Sequence, residues 1–165
     1  WDLSQHAKHS GEDLSFVDPH TKEKIVPWTI ETSGGVDRAV LFLIANAYQE
    51  EKLPNGDKRT VLKFRPQVAP YKAAVFPLLA NKPELVKLAR KIYDDLKNDF
   101  MIDWDDRGNI GKRYRYQDEA GTPFCVTVDF ESLKNEDVTV RDRDTMEQKR
   151  VKISGLKKFI SEKIN

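Results

Sequence analysis

The sequence predicts an α/β protein: a mixed five-stranded sheet flanked by about three helices, preceded by a shorter strand–turn–helix unit. Two patterns carry this. Apolar residues recur at helical spacing in Leu85, Leu88, Ala89, Ile92 and Leu96, and again in Leu156, Phe159, Ile160 and Ile164. Between those stretches, Phe124, Val126, Val128 and Phe130 alternate with Cys125, Thr127 and Asp129, the period of a half-buried strand. Strands separated by helices must pair in parallel and a hairpin pairs antiparallel, so the sheet is mixed.

The elements follow in order. Ile25 to Glu31 reads as a strand passing through Pro27 and ending at Ser33-Gly34-Gly35. Val36, Val40, Ile44 and Ala47 or Tyr48 then mark a helix, with Asp37 suited to its first turn. Pro54-Asn55-Gly56, in the charged stretch 50–59, is turn chemistry and the expected domain boundary. Lys72 to Leu79 reads as a strand, and Pro83 opens a helix where a missing N–H costs nothing. Phe100 to Trp104 is the next strand; Asn109 to Glu119 is a short helix stopped by Gly121 and Pro123. Val138 to Asp142 and Met146 to Ile153 form a hairpin around Arg143-Asp144-Thr145, and a helix closes the chain.

Composition excludes several classes. Leu, Ile, Val and Phe supply 43 of 165 residues, above the roughly 20% below which highly charged chains stay disordered. The 28 Lys plus Arg nearly balance 27 Asp plus Glu, a net charge of +1, so polycation binding of nucleic acid is excluded and any contact must come from local patches. The lone Cys125 rules out an intrachain disulfide and, between Phe124 and Val126, reads as a small buried hydrophobe. The longest uncharged run, Ala39 to Gln49, has 11 residues, short of the roughly 20 of a membrane span. Trp1-Asp2-Leu3-Ser4, with neither initiator Met nor leader, is expected to be the middle of a longer chain.

Four constellations bear on chemistry. His6, His9 and His20 lack a ligand set for zinc, and no metal site is expected. Glu31-Thr32-Ser33-Gly34-Gly35-Val36-Asp37-Arg38 joins a carboxylate, a paired-glycine turn, a helix N-terminus and an arginine, a place for a small zwitterion beside a phosphate, though glycine turns are common. From Arg107 to Tyr116, Arg107, Lys112, Arg113 and Arg115 interleave with Tyr114 and Tyr116, which reads either as an RNA-stacking surface or as a solvated helix face. Arg141-Asp142-Arg143-Asp144 places two arginines on one strand face, as base readers or as part of a cross-strand charge ladder.

Taken together, these segments resemble the glycyl-tRNA synthetases of the homodimeric class II type. The N-terminal match is Asp2-Leu3-Ser4-Gln5-His6, Ser10-Gly11-Glu12-Asp13-Leu14 and Ile30 to Arg38, the last similar to motif 3 of that class. Downstream, Phe64-Arg65-Pro66, Ala69-Pro70-Tyr71-Lys72, Gly111-Lys112-Arg113-Tyr114, Gly121-Thr122-Pro123, Val126-Thr127-Val128-Asp129 and Arg141 to Thr145 resemble the anticodon-binding domain shared by the synthetases for glycine, threonine, proline and histidine. The resemblance implies residues 1–50 as the end of an antiparallel catalytic domain, 51–60 as a linker and 61–165 as the anticodon-binding domain. It implies ATP as a substrate with Mg2+, tRNA for glycine as partner, a homodimeric parent in the cytoplasm and no membrane attachment.

Carried over by position, Glu31 would hold the glycine ammonium with Ser33 beside it, and Arg38 the ATP phosphates next to the Gly34-Gly35 backbone. Motifs 1 and 2 have no match in this sequence, so the chain is expected to carry no catalytic residue of its own and to contribute anticodon-arm binding. Glycine anticodons end in two cytosines. Arg141 and Arg143 would read cytosine acceptors, Asp103 or Asp105 the cytosine amino group, Lys112, Arg113 and Arg115 phosphates, and Tyr114 or Tyr116 would stack. Two other readings compete: a non-catalytic synthetase-like nucleic-acid-binding or accessory subunit, which the retained Glu31, Ser33 and Arg38 disfavour, and a synthetase for another amino acid, which Glu31-x-Ser33-x-Gly35 disfavours.

Overall fold

A computed structural model describes residues 1–164. The chain divides after Ala39 into two compact units.

The first unit holds α1 (Asp2–Ser10), closed by Gly11 at φ 76°, and a two-stranded antiparallel ribbon of β1 (Phe16–Val17) and β2 (Lys24–Ile25). Asp18 shapes the turn of that ribbon by accepting the amides of His20 and Thr21 at 2.7 and 3.0 Å. Asp13 accepts from Lys24 at 2.5 Å and from the Ser15 amide and hydroxyl. These bonds, the one from Lys24 foremost, hold its carboxyl down at about 2. The strand expected over Ile25–Glu31 does not form beyond Ile25. Pro27 removes a ladder donor, Trp28 and Ile30 lie exposed, and the described residues offer 26–31 no neighbouring strand. The helix predicted next is α2 (Val36–Ala47), in which only Ala47 is buried.

In the second unit the segment expected as a linker, 51–60, is instead folded. β3 (Tyr48–Lys52) and β4 (Lys58–Leu62) pair antiparallel around the Pro54-Asn55-Gly56 turn, with Gly56 at φ 87°. Val61 and Arg59 face inward along β4 while Lys58 and Thr60 face out.

The sheet forms as predicted, in the order β6 (Ile102–Trp104), β5 (Ala73–Pro77), β7 (Phe124–Val128), β8 (Asp137–Asp142), β9 (Gln148–Lys152). β5 pairs parallel with β6 and β7, and β7–β8–β9 is an antiparallel meander. The two central strands are buried on both faces, as a sheet covered on both sides requires. On one face Ala73, Val75, Val126 and Val128 pack with Leu85, Ala89, Ile92 and Leu96 of α3 (Pro83–Leu96) and Leu156 and Ile160 of α6 (Leu156–Ile164). On the other, Ala74, Phe76 and Cys125 meet Ile110 and Tyr114 of α4 (Ile110–Ala120). Cys125 is the small buried hydrophobe expected, and burial pushes its thiol far up.

Two α-helices lie outside the sequence expectation, α1 and a short one after β7. Asp129 and Ser132 exchange hydrogen bonds, amide to hydroxyl at 3.1 Å and amide to carboxylate at 3.0 Å, and start a single turn, α5 (Ser132–Asn135). The predicted strand 124–130 therefore stops at Val128.

Candidate nucleic-acid interface

The parallel strands β5 and β6 run toward the N-terminal end of α4, and the loop 105–109 joins β6 to that helix. In open α/β sheets, ligands bind beyond the carboxyl ends of such strands. Asn109 caps α4, its side-chain oxygen accepting the Lys112 amide at 2.9 Å. At the other end Gly121, at φ 79°, lets the Gly121 and Thr122 amides return to Asp118 and Gln117 carbonyls. α4 is thus fixed at both ends.

Beside it lies a cavity of about 510 Å³ whose wall includes Asp103, Asp105, Arg107, Lys112, Tyr116 and Gln117. Lys112 and Tyr116, four residues apart, share one face of α4 and are exposed, Tyr116 by 57%. Asp103 reaches the cavity from β6, where its backbone pairs with Ala74. Gln117 Nε2 donates to Asp103 Oδ2 at 2.6 Å. Asp105 is buried, and its Oδ1 already accepts the Arg107 amide at 2.9 Å and Nε at 3.2 Å. An acceptor, a cation and an open aromatic ring thus converge on one polar cleft, the combination an unpaired base with its phosphate requires.

The structure separates the other expected residues. Arg113 is buried under the cleft and donates to the Pro77, Arg107 and Gly108 carbonyls at 2.5, 3.0 and 2.9 Å, with a longer bond to Asp106. It clamps the 105–108 loop, so it does not face a phosphate. Arg143 is buried too, its Nη1 on the Gly121 carbonyl at 2.7 Å, its Nη2 on Phe64 at 2.8 Å, and its Nε on Asp144 at 2.8 Å. Arg141 pairs end-on with Asp118 and lies 4.9 Å from the centre of the Tyr114 ring. Arg141 of β8 and Arg143, in the turn just beyond it, both point inward, Arg141 to Asp118 of α4 and Arg143 to the Gly121 and Phe64 carbonyls. The cross-strand ladder belongs to Arg150, which reaches Asp129 at 2.5 Å and also bonds Asp137.

Tyr114 packs edge-on against Phe76 and bonds Thr127 Oγ1 at 2.8 Å, its hydroxyl pushed up by burial. Its ring is not open for stacking, whereas that of Tyr116 is exposed. Arg115 leans to the β3–β4 hairpin, 3.4 Å from the Lys58 carbonyl, away from the cleft. Glu31, Ser33, Gly34, Gly35 and Arg38 belong to the first unit and are exposed, without side-chain partners among the described residues. As placed they do not enclose a nucleotide or its magnesium ion. Sequence reasoning passed over Gln117 and counted Arg107 only among the basic residues of its stretch. The signal for Gln117 was its place beside Tyr116 on a helix, whereas nothing in the local sequence paired Arg107 with Asp105.

A mixed sheet with α4 along one face and a polar cleft beside that helix defines an α/β module with an open polar cleft. The family described as anticodon binding domain matches residues 72–163, more than half of the chain, and the chain belongs to that family. Among curated relatives it is 51% identical over 164 residues to a glycine–tRNA ligase of Clostridium kluyveri, covering 99% of this chain and 35% of that one. It is 53% identical, with the same coverage, to a glycine–tRNA ligase of Bacillus cereus. The chain thus spans about a third of the length of these relatives. A crystal structure of a prolyl-tRNA synthetase from Cryptosporidium parvum, complexed with halofuginone and AMPPNP, superposes with a TM-score of 0.58 at 21% identity, over 70% of this chain and 31% of that one. At that identity the likeness speaks for the fold. Among the described residues no helix is long and apolar enough to cross a membrane.

Proposed function

We propose that this chain supplies the anticodon-arm binding of a glycine–tRNA ligase, and that the cleft beside α4 receives a cytosine of the anticodon. The observation that carries this is the convergence of Asp103, Lys112 and Tyr116 on one cavity in a chain about half identical to such ligases. Asp103 accepts from the exocyclic amino group, Tyr116 stacks on the base and Lys112 meets a phosphate. Asp105 orients Arg107 instead of reading the base, because its Oδ1 already holds the Arg107 amide and guanidinium. Arg113, Arg141 and Arg143 support the cleft from within.

In this reading ligation of glycine, with ATP and magnesium, is the work of the longer enzyme. Glu31 and Ser33 serve glycine, and Arg38 with Gly34-Gly35 serves ATP, only within walls the exposed segment does not itself provide. The chain alone is therefore expected to form no glycyl-adenylate. A homodimeric, cytoplasmic parent is part of the same proposal, and sedimentation of that parent tests the dimer. The deciding experiment titrates the chain with a glycine tRNA anticodon stem-loop, and with one whose two cytosines are replaced, both near 0.15 M salt. Tighter binding of the cytosine form is expected; equal binding overturns the reading.

A further inference from the structure

The carboxylate of Asp103 is held from behind. Thr122, fully buried, donates its hydroxyl to Gln117 Oε1 at 2.5 Å, and Gln117 Nε2 donates to Asp103 Oδ2 at 2.6 Å. The direction of this chain is fixed by chemistry. A carboxylate only accepts, so the amide must turn its NH₂ toward Asp103 and its oxygen toward Thr122, whose hydroxyl then has to donate. The positions are fixed as well, because Thr122 follows Gly121, which is wedged against Phe64 and the Leu62 carbonyl. Asp103 Oδ1 has no partner among the described residues. It remains as an acceptor in the cleft wall.

Resting on the base-reading proposed above, we propose that Gln117 and Thr122 are positioning residues that set the polarity of the cleft. By holding Asp103 as a pure acceptor they admit a base edge that presents an amino group and reject one that presents a carbonyl. The discrimination they control is thus cytosine N4 against uracil O4, at one of the two cytosine positions. A site that orients one half-buried acceptor discriminates between them, since the wrong base leaves two acceptors facing each other.

The test uses the 165-residue chain and three stem-loops: one with both cytosines and two with a single cytosine-to-uracil change. The unsubstituted chain is expected to prefer cytosine by about tenfold or more at one position. Gln117→Glu places two carboxyl groups within hydrogen-bond distance, where they share one proton; Asp105, Arg107 and Lys112 are the other charged groups of the cavity. The wall can then donate, and the cytosine-to-uracil ratio should fall by about tenfold at that position only. Thr122→Val, close in shape, frees the amide to rotate and should lower the same ratio several-fold, while Thr122→Ser retains it.

The ratio at the second position is the control for folding. Unchanged ratios in both Gln117→Glu and Thr122→Val would overturn the role of the pair while leaving base reading intact. A parallel fall at both positions, shared by Thr122→Ser, would assign the pair a merely structural role and overturn the proposal likewise. An unsubstituted chain indifferent to uracil at both positions would remove base reading itself.

Discussion

The carboxylate of Asp118 and the guanidinium of Arg141 meet end-on inside the second unit, Oδ1 to Nη1 at 2.8 Å and Oδ2 to Nη2 at 3.1 Å. Arg59 adds a third bond, its Nη1 to Oδ2 at 3.1 Å, and also reaches the Arg143 carbonyl at 2.8 Å. One buried anion thus joins the hairpin strand β4, helix α4 and sheet strand β8. Asp118→Asn would leave the buried Arg141 guanidinium without countercharge and Arg59 with Glu51 alone. A loss of about 3–5 kcal/mol is expected, read from urea unfolding, with little change in the spectroscopic signature of the remaining fold. A loss below about 1 kcal/mol would contradict this account.

Gly121 stands where a side chain has no room. A Cβ there would fall 2.4 Å from Phe64 Cδ2 and 2.9 Å from the Leu62 carbonyl, and the backbone sits at φ 79°. Gly121→Ala should therefore cost about 2 kcal/mol or more, against the gain of a few tenths usual for glycine replacement at an unstrained site. Thermal unfolding measures it.

Lys112 and Arg113 are neighbours with opposite fates, and the salt dependence of RNA binding separates them. Lys112→Ala removes a charge from the cleft and should lower the slope of log K against log salt by about 0.7. Arg113→Lys should weaken binding by loosening the 105–108 loop and leave the slope unchanged, since its guanidinium faces carbonyls. Equal slope changes in both variants would return Arg113 to the phosphate-binding set.

Glu51 links stability to pH. A hydrogen bond from Lys63 draws its carboxyl below the ordinary 4.5; burial opposes this, and Arg59 adds to the lowering. A carboxyl lowered in the folded state contributes stability above its unfolded value and loses it as pH falls through the folded value. Glu51→Gln should thus unfold at a lower urea concentration than the unsubstituted chain at pH 7, by on the order of 1 kcal/mol, and the gap should close as the pH falls below 4.5 and through the lowered folded-state value. A gap that does not narrow with falling pH would mean Glu51 acts by packing alone.

Helix α3 was legible because its signals are local: Pro83 at the first turn and an apolar stripe every three or four residues, of whose five predicted positions Leu85, Ala89, Ile92 and Leu96 are buried and Leu88 half-buried. The alternation in 124–128 gave β7 its place for the same reason. The β3–β4 hairpin was hidden because Glu50, Glu51, Lys52, Lys58 and Arg59 mask its alternation; the inward Arg59 reads as surface until Asp118, 59 positions away, is brought to it. Arg141 and Arg143 failed as base readers on similar grounds. A guanidinium suits a phosphate, a base edge, a buried carboxylate or a carbonyl equally well, and only the fold decides which acceptor arrives. The strand expected at 25–31 shows the reverse limit, since extended propensity needs a neighbouring strand to become a ladder.

The pairing of Ala73 with Phe124 also has a kinetic side. β5 emerges from synthesis some fifty residues ahead of β7, with α3, β6 and α4 between them, and closing so long a loop spends chain entropy before any contact rewards it. The meander β7–β8–β9 closes only short loops. Structure is expected to nucleate in the meander and to recruit β5 late, so Val140→Ala should slow refolding while Ala73→Gly should mainly speed unfolding. Until the meander exists, the apolar strand β5 has an open edge, and residues 124–152 are the ones that close it.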